Sequence, residues 1–419
     1  MRICKCAVVD ERTGNWYTEP NGRYGYDGTL APVGSKAALD AALRFGADAV
    51  YLGGPMLQLR AKSAGFSFDA IADAAKKVHA QNRRLYVTVN SLAYDDEIDA
   101  LPAYANQLKD CGADAAIVSD LGVLTAMHKS CPGLELHVST QASCTNYAAA
   151  LTWHALGAKR IVLAREMTVE EIKKLKRRIP DDLELEAFVH GAMCMAYSGR
   201  CLLSSAILGR SGNRGDCAQP CRWSYALVEQ TRPNQSFPIV EEGNHSFVLS
   251  SRDLNCIGLL DELIDAGVTS LKIEGRMKTE YYVAVVVNAY RRVLDGTMTV
   301  DEARRELDSV SHRPYTTGFY HGELPLDHSN AGTYTQTHRF AGVVLGSANG
   351  VATIEQRNRF VRGDALEVIS PALQNAVLKA DEIFDETGAP VEIANRVRQV
   401  LRIPTVLPLE PGDLLRIRA

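Results

Sequence analysis

The sequence predicts an α/β fold, a (β/α)8 TIM-like barrel with a small C-terminal β-barrel domain, and three observations carry that expectation. A short element recurs in which a helix-like segment ends at a glycine, one or two small or polar residues follow, and an apolar strand begins. Further strands that lack this marker bring the count to eight, about the content of a barrel whose usual size is about 250 residues. Beyond about Phe340 the pattern changes to short apolar segments separated by turns.

The marked junctions are Gly46-Ala47-Asp48 before Ala49 to Leu52, Gly112-Ala113-Asp114 before Ala115 to Val118, Gly157-Ala158-Lys159 before Arg160 to Leu163, and Gly267-Val268-Thr269 before Ser270 to Ile273. Glycine just past a helix accepts the left-handed backbone that ends it, so each copy marks a helix-to-strand passage, and repeated passages imply a parallel sheet. The unmarked strands are Leu30 to Val33, Leu85 to Val89, Glu135 to Val138 and Leu185 to Val189. Between them Ile71, Ala74, Ala75 and Val78 lie at helical spacing, and Thr168-Val169-Glu170-Glu171 reads as a capping box. An open doubly wound sheet is the competing arrangement. Residues 1–29 read as an N-terminal extension, residues 30–328 as the barrel with a cysteine-rich insertion over 190–256, and residues 337–419 as the small β domain.

Composition describes an enzyme-sized protein. The chain has 419 residues, 46% of them hydrophobic, with 46 Lys and Arg against 50 Asp and Glu for a net charge of -4. No global basic field draws it to nucleic acid, so no DNA partner is expected and any RNA contact is local. No run of eighteen apolar residues marks a membrane span, no signal peptide is legible, and a reducing cytoplasmic location is the expectation.

Five of the ten cysteines fall in one stretch, Cys194, Cys201, Cys217, Cys221 and Cys256. A chain able to bury a full core does not need cysteines as staples, so the clustering points to soft-metal ligation. Structural zinc is usually announced by paired C-x2-C elements, which are absent. The irregular spacing suits an iron–sulfur cluster better, with buried free thiols as the bland alternative. The stretch follows the seventh strand, which ends at His190, and precedes the eighth, which ends near Glu274; the carboxyl ends of barrel strands are where active sites form. Asn90, Ser119-Asp120, Ser139-Thr140-Gln141, Arg165-Glu166, His190 and Glu274-Gly275-Arg276 are the polar strand ends.

A cysteine nucleophile would need a base in reach, and His190 is its neighbour in sequence; Ser198 and Ser204-Ser205 offer hydroxyls. No G-x-S-x-G, H-E-x-x-H, G-x-G-x-x-G or Walker pattern occurs. Arg200, Arg214, Arg222, Arg252 and Arg276 punctuate the region, and guanidinium groups bind carboxylates or phosphates bidentately. Tyr197, Trp223 and Tyr225 among them could stack a base. The basic run Lys173 to Arg178 reads as the solvated face of a helix.

The run Phe188-Val189-His190-Gly191-Ala192-Met193-Cys194-Met195-Ala196-Tyr197-Ser198-Gly199-Arg200-Cys201 resembles the signature of the collagenase-like peptidase family thirty-two, of unassigned catalytic type. Leu30-Ala31-Pro32, Gly46 to Gly53, Cys217-Ala218-Gln219-Pro220-Cys221-Arg222-Trp223, Ser251-Arg252-Asp253-Leu254, Lys272 to Arg276 and Thr317-Gly318-Phe319-Tyr320 extend the likeness over most of the chain. The resemblance implies a [4Fe-4S] cluster on four cysteines and hydroxylation without molecular oxygen, with prephenate, a small carboxylate, as donor. Within the family the chain looks most like the branch tied to 5-hydroxyuridine at the tRNA wobble position. Cys194, Cys201 and Cys217 are then the firm ligands, while relatives differ over a fourth at the position of Cys221 or of Cys256, and this chain has both. From their positions, His190 or Glu274 would move protons and Arg200 and Arg276 would attract the donor or an RNA phosphate. The family name keeps a peptidase using Cys201 or a metal-bound water as an alternative, and a non-catalytic RNA-binding module is a third.

Overall fold

The computed structural model describes residues 28–59, 65–194, 199–223, 252–322 and 334–419, with the backbone of the short strands Ala7–Val9, Trp16–Thr18, Ala226–Val228 and Ser236–Pro238. Tyr197, Ser198, Tyr225, the side chain of Arg222 and nearly all of the N-terminal extension lie outside the described residues.

Eight parallel strands close the barrel: β1 Gly28–Pro32, β2 Ala49–Gly53, β3 Arg84–Val89, β4 Ala115–Val118, β5 Glu135–Val138, β6 Arg160–Val162, β7 Glu184–Ala192 and β8 Ser270–Ile273. Each pairs in parallel with the next, and β8 pairs with both β7 and β1, which shuts the cylinder and rules out the open sheet. Glycines 46, 112, 157 and 267 have φ of 97°, 87°, 107° and 98°, the backbone that the recurring junction requires.

The strands are buried on both faces, as a parallel sheet wrapped in helices demands. Leu30, Ala49, Tyr51, Tyr86, Ala115 and Ile117 fill the lumen. The helix Phe68–His79 buries Ile71, Ala74, Ala75 and Val78, the stripe its spacing defines, and Thr168 forms its capping box with Glu171. A three-residue strand, Asp253–Asn255, runs antiparallel to the end of β7 and closes the long insertion. Among the described residues no helix is long and apolar enough to cross a membrane.

The C-terminal domain is a curled six-stranded antiparallel sheet, a half-barrel. Its order is Val377–Lys379, Ala365–Ile369, Leu414–Arg418, His338–Ala348, Val351–Gln356 and Val400–Pro404. This is the small β domain that the sequence predicts, curled as a half-barrel. A register shift between Val344 and Gly346 curls the sheet, but the outer strand Val377–Lys379 is short and the other edge is bridged by Phe384 to Arg402, so the edges do not meet among the described residues. The sheet packs on the barrel: Ile369 and Leu414 join its core, and Phe340 stacks on Tyr281 at 5.2 Å between ring centroids.

Candidate functional site

At the carboxyl ends of the strands the insertion folds back over the barrel and encloses a cavity of about 170 Å3. The short helix Leu203–Leu208 and the 3-10 turns Gly212–Arg214 and Pro220–Arg222 form this cover. Two close approaches pin it. A side chain at Gly199 would meet the Gln141 carbonyl 2.6 Å away and one at Gly215 would meet the Gln58 carbonyl at 2.5 Å, and both glycines have positive φ. Arg214 adds a bidentate pair to Glu97, with contacts of 2.6 and 3.1 Å, and the Leu92 amide donates to the Asn213 carbonyl at 3.2 Å.

Cys194, Cys201, Cys217 and Cys221 all line this cavity. Cys256 does not: it is fully buried beside β7, its amide donating to the Val189 carbonyl at 2.9 Å. All five are free thiols. Among the described residues no three His, Cys, Asp or Glu side chains stand close enough to clasp a metal ion. Four soft donors opening onto one cavity nonetheless fit a thiolate-ligated cluster, since such a ligand set commonly closes only around its metal. The Gln219 amide already donates to Cys217 Sγ at 3.3 Å, the kind of bond that stabilises a ligating sulfur.

Opposite the thiols the wall is cationic. Arg276 is 7% exposed and its Nη1 donates to Thr88 Oγ1 at 2.8 Å and to Gln58 Oε1 at 3.4 Å. Arg165 lies over the Phe188 ring at 4.0 Å, donates to the Ala192 carbonyl at 3.0 Å, and leaves its buried Nε without a protein partner. Lys272 rises through the floor between Tyr51 and Phe188, its Nζ 2.7 Å from Glu186 Oε1. Glu186 is shared with Arg160 at 3.3 Å, and Arg160 also reaches Glu184 at 2.6 Å. Burial would raise the Glu186 carboxyl, but Lys272 and Arg160 hold it below its ordinary range; burial lowers the Lys272 ammonium against the pull of Glu186. This network balances two cations with two anions, so Arg165 and Arg276 face Glu274 as the remaining acid lining the cavity. The Tyr51 hydroxyl donates its one proton to the Ile273 carbonyl at 2.9 Å and lies 3.4 Å from Glu274 Oε2.

The structure therefore brings together Glu274, Arg276 and four of the five cysteines, and sets two other expected residues apart. Arg200, between lining residues Gly199 and Cys201, is itself exposed to solvent. His190 does not line the cavity. Lys272 pairs with Phe188 and Ile273 with His190, which skips Val189; this bulge turns His190 outward against Tyr282, Tyr290 and Tyr315. The Tyr290 hydroxyl donates to the Val189 carbonyl at 2.7 Å, so it accepts from His190 Nδ1 at 3.3 Å. Burial depresses the imidazole to about 3, which makes it neutral at ordinary pH.

Arg165 and Lys272 were not singled out by sequence as binding groups. The legible signal was position: Lys272 stands two residues before Glu274 at the end of β8, and Arg165 lies three residues past the end of β6, among the polar residues after that strand.

A barrel with its chemistry-bearing side chains at the strand carboxyl ends is the architecture of an enzyme. The model of peptidase family U32 matches residues 34–330 and that of the peptidase family U32 C-terminal domain matches residues 336–416. The chain belongs to peptidase family U32. A Bacillus subtilis protein named tRNA hydroxylation protein P1 is 35% identical over 398 residues, covering 92% of this chain and 94% of the relative. An Escherichia coli 23S rRNA 5-hydroxycytidine synthase is 38% identical over 67% of this chain and 41% of its own length. A Porphyromonas gingivalis protein named collagenase is 30% identical over 92% of this chain and 96% of the relative.

Proposed function

We propose that this chain is an RNA-hydroxylating enzyme that forms 5-hydroxyuridine at the wobble position of tRNA without molecular oxygen, using a [4Fe-4S] cluster and a small carboxylate donor of the prephenate class. The observation that carries this reading is the meeting of four thiols with Arg165 and Arg276 in one cavity at the barrel mouth. Relatives named for tRNA and rRNA hydroxylation support it.

Cys194, Cys201, Cys217 and Cys221 are the residues that would hold the cluster, and Cys256 is left out because it is buried away from the cavity. When bound, such a cluster supplies redox chemistry at thiolate-held iron. Arg276 and Arg165 bind and orient the donor carboxylate, with the Nη1 of each fixed by Thr88 and by the Ala192 carbonyl. Glu274, beside the Tyr51 hydroxyl, takes or returns a proton at its carboxylate. Exposed Arg200 and Trp223 face an incoming RNA rather than the donor. Anaerobically purified protein is expected to contain about four iron and four sulfide per chain. Cys221→Ser is expected to lose this content and Cys256→Ser to keep it, and unmodified tRNA given the holoprotein and prephenate should gain 5-hydroxyuridine. A colourless protein holding one zinc would defeat the reading.

The name of the Porphyromonas relative favours a peptidase as the second reading. A Cys201 nucleophile would find no imidazole, because no histidine lines the cavity among the described residues. Denatured collagen is expected to survive incubation; cleavage that disappears in Cys201→Ala would restore hydrolysis.

A further inference from the structure

Between residues 337 and 419 the C-terminal domain carries ten Lys and Arg against ten Asp and Glu, and over 381–402 the two signs fall in separate runs. Asp381, Glu382, Asp385, Glu386 and Glu392 come first, and Arg396, Arg398 and Arg402 follow without an intervening acid. Topology adds a fourth arginine. Strand Val351–Gln356 pairs antiparallel with Val400–Pro404, Thr353 opposite Arg402, and Phe360–Val361 pairs with Ile393–Ala394, Phe360 opposite Ala394. The stretch 357–359 therefore runs beside 395–399, which sets Arg359 next to Arg396 and Arg398.

All four arginines are exposed, and none makes an ion pair among the described residues. Arg398 sits at φ 54° in the turn, and Val397 beside it is 92% exposed, so the tip projects. Arg357 behaves differently: its Nη1 is 2.7 Å from Glu280 and its Nε 2.9 Å from Glu355. That anchor fixes where the edge stands. Glu280 opens the helix Glu280–Leu294 just after β8 and Arg276, on the mouth side of the barrel. Glu355, opposite Val400, and the segment of Phe384, bridged to Arg402, place acids beside Arg402, whereas Arg359, Arg396 and Arg398 at the projecting tip neighbour one another and repel, a cost that a surface of interspersed charges avoids.

We propose that this arginine edge holds the phosphate backbone of the RNA whose base enters the barrel mouth, an inference that rests on the RNA-hydroxylating reading above. Guanidiniums match phosphate geometry and fix position without reading sequence. A chain of net charge -4 needs such a local site to hold a polyanion.

The test measures binding of unmodified tRNA to the full-length anaerobic holoprotein between 50 and 200 mM salt. The triple variant Arg396→Gln, Arg398→Gln, Arg402→Gln is expected to bind about tenfold or more weakly, with the slope of log K against log salt reduced by roughly 2 to 3. The corresponding Arg→Lys triple keeps the charge and is expected to keep most of the slope, which separates lost charge from lost folding. Lys76→Gln, on the exposed face of a distant helix, is expected to change neither. Wild-type affinity and slope in the Gln triple would remove the edge and leave the hydroxylation reading standing. A wild-type protein that neither binds nor modifies tRNA would overturn both. Loss of binding to phosphatidylserine vesicles, with tRNA binding unchanged, would assign the edge to a membrane surface and overturn the proposal.

Discussion

Lys272 carries its ammonium 2.7 Å from Glu186 at the floor of the cavity, and both groups are nearly sealed from water. Removing one member of such a pair leaves the other charged and buried, which costs about 3 to 5 kcal/mol. Lys272→Met is accordingly expected to lower the urea midpoint by that order, with Arg160 offsetting part of it; an unchanged midpoint would mean that the pair contributes nothing. His190 gives a pH dependence of definite sign. Its folded value of about 3 lies below its ordinary 6.5, so between those limits the unfolded chain binds a proton that the native chain refuses. That contribution is intact above pH 6.5 and is lost as pH falls toward 3, by roughly 1.4 kcal/mol per pH unit. Urea midpoints at pH 7 and pH 5 should fall less steeply for His190→Phe than for wild type, and equal slopes would contradict the burial. At this scale the sequence exposed the cysteines, Glu274 and Arg276, because their types are unusual where they stand. It could not reveal that His190 faces outward, since the responsible bulge is a matter of pairing between strands distant in sequence.

The β7 strand decides which of its residues meet the cavity. Its last turn into the insertion passes through Gly191, at φ 102°, where an added Cβ would lie 2.4 Å from the Glu274 carbonyl. Gly191→Ala is expected to cost about 2 kcal/mol or more in strain alone and to displace both Glu274 and the segment leading to Cys194. Reduced iron content in a variant that still unfolds cooperatively would check this, and a fully loaded variant of wild-type stability would refute it. The barrel elements themselves were legible because glycine at a helix end and an apolar run of four or five residues are local signals. The cover over the mouth was not, because its placement depends on close backbone approaches at Gly199 and Gly215 and on the Arg214–Glu97 pair, contacts that join segments far apart in the chain.

The two domains share one buried boundary. Arg416 of the half-barrel lies 2.7 Å from Glu306 and 2.9 Å from Glu367, and together these acids hold the guanidinium well above its ordinary value although burial alone would lower it. Arg416→Met strands Glu306 at the interface and is expected to destabilise the whole chain by about 3 kcal/mol, read as one cooperative transition at lower temperature. Two separate transitions would show instead that the domains unfold independently. The small β domain was legible from its strand count and turn spacing, which are the same for an open curled sheet and a closed small barrel; only the pairing of the edge strands distinguishes them.

The claim that joins these scales is that the mouth of the barrel hydroxylates the wobble uridine of tRNA through Cys194, Cys201, Cys217 and Cys221. Nucleoside mass spectrometry on tRNA from a strain lacking this protein, and any paralogue, tests it most directly. The account predicts that 5-hydroxyuridine and its derivatives disappear, return with the wild-type chain, and fail to return with Cys194→Ala or Cys221→Ala although both proteins accumulate. An unchanged modification profile in the deletion strain, or full restoration by either cysteine variant, would contradict it.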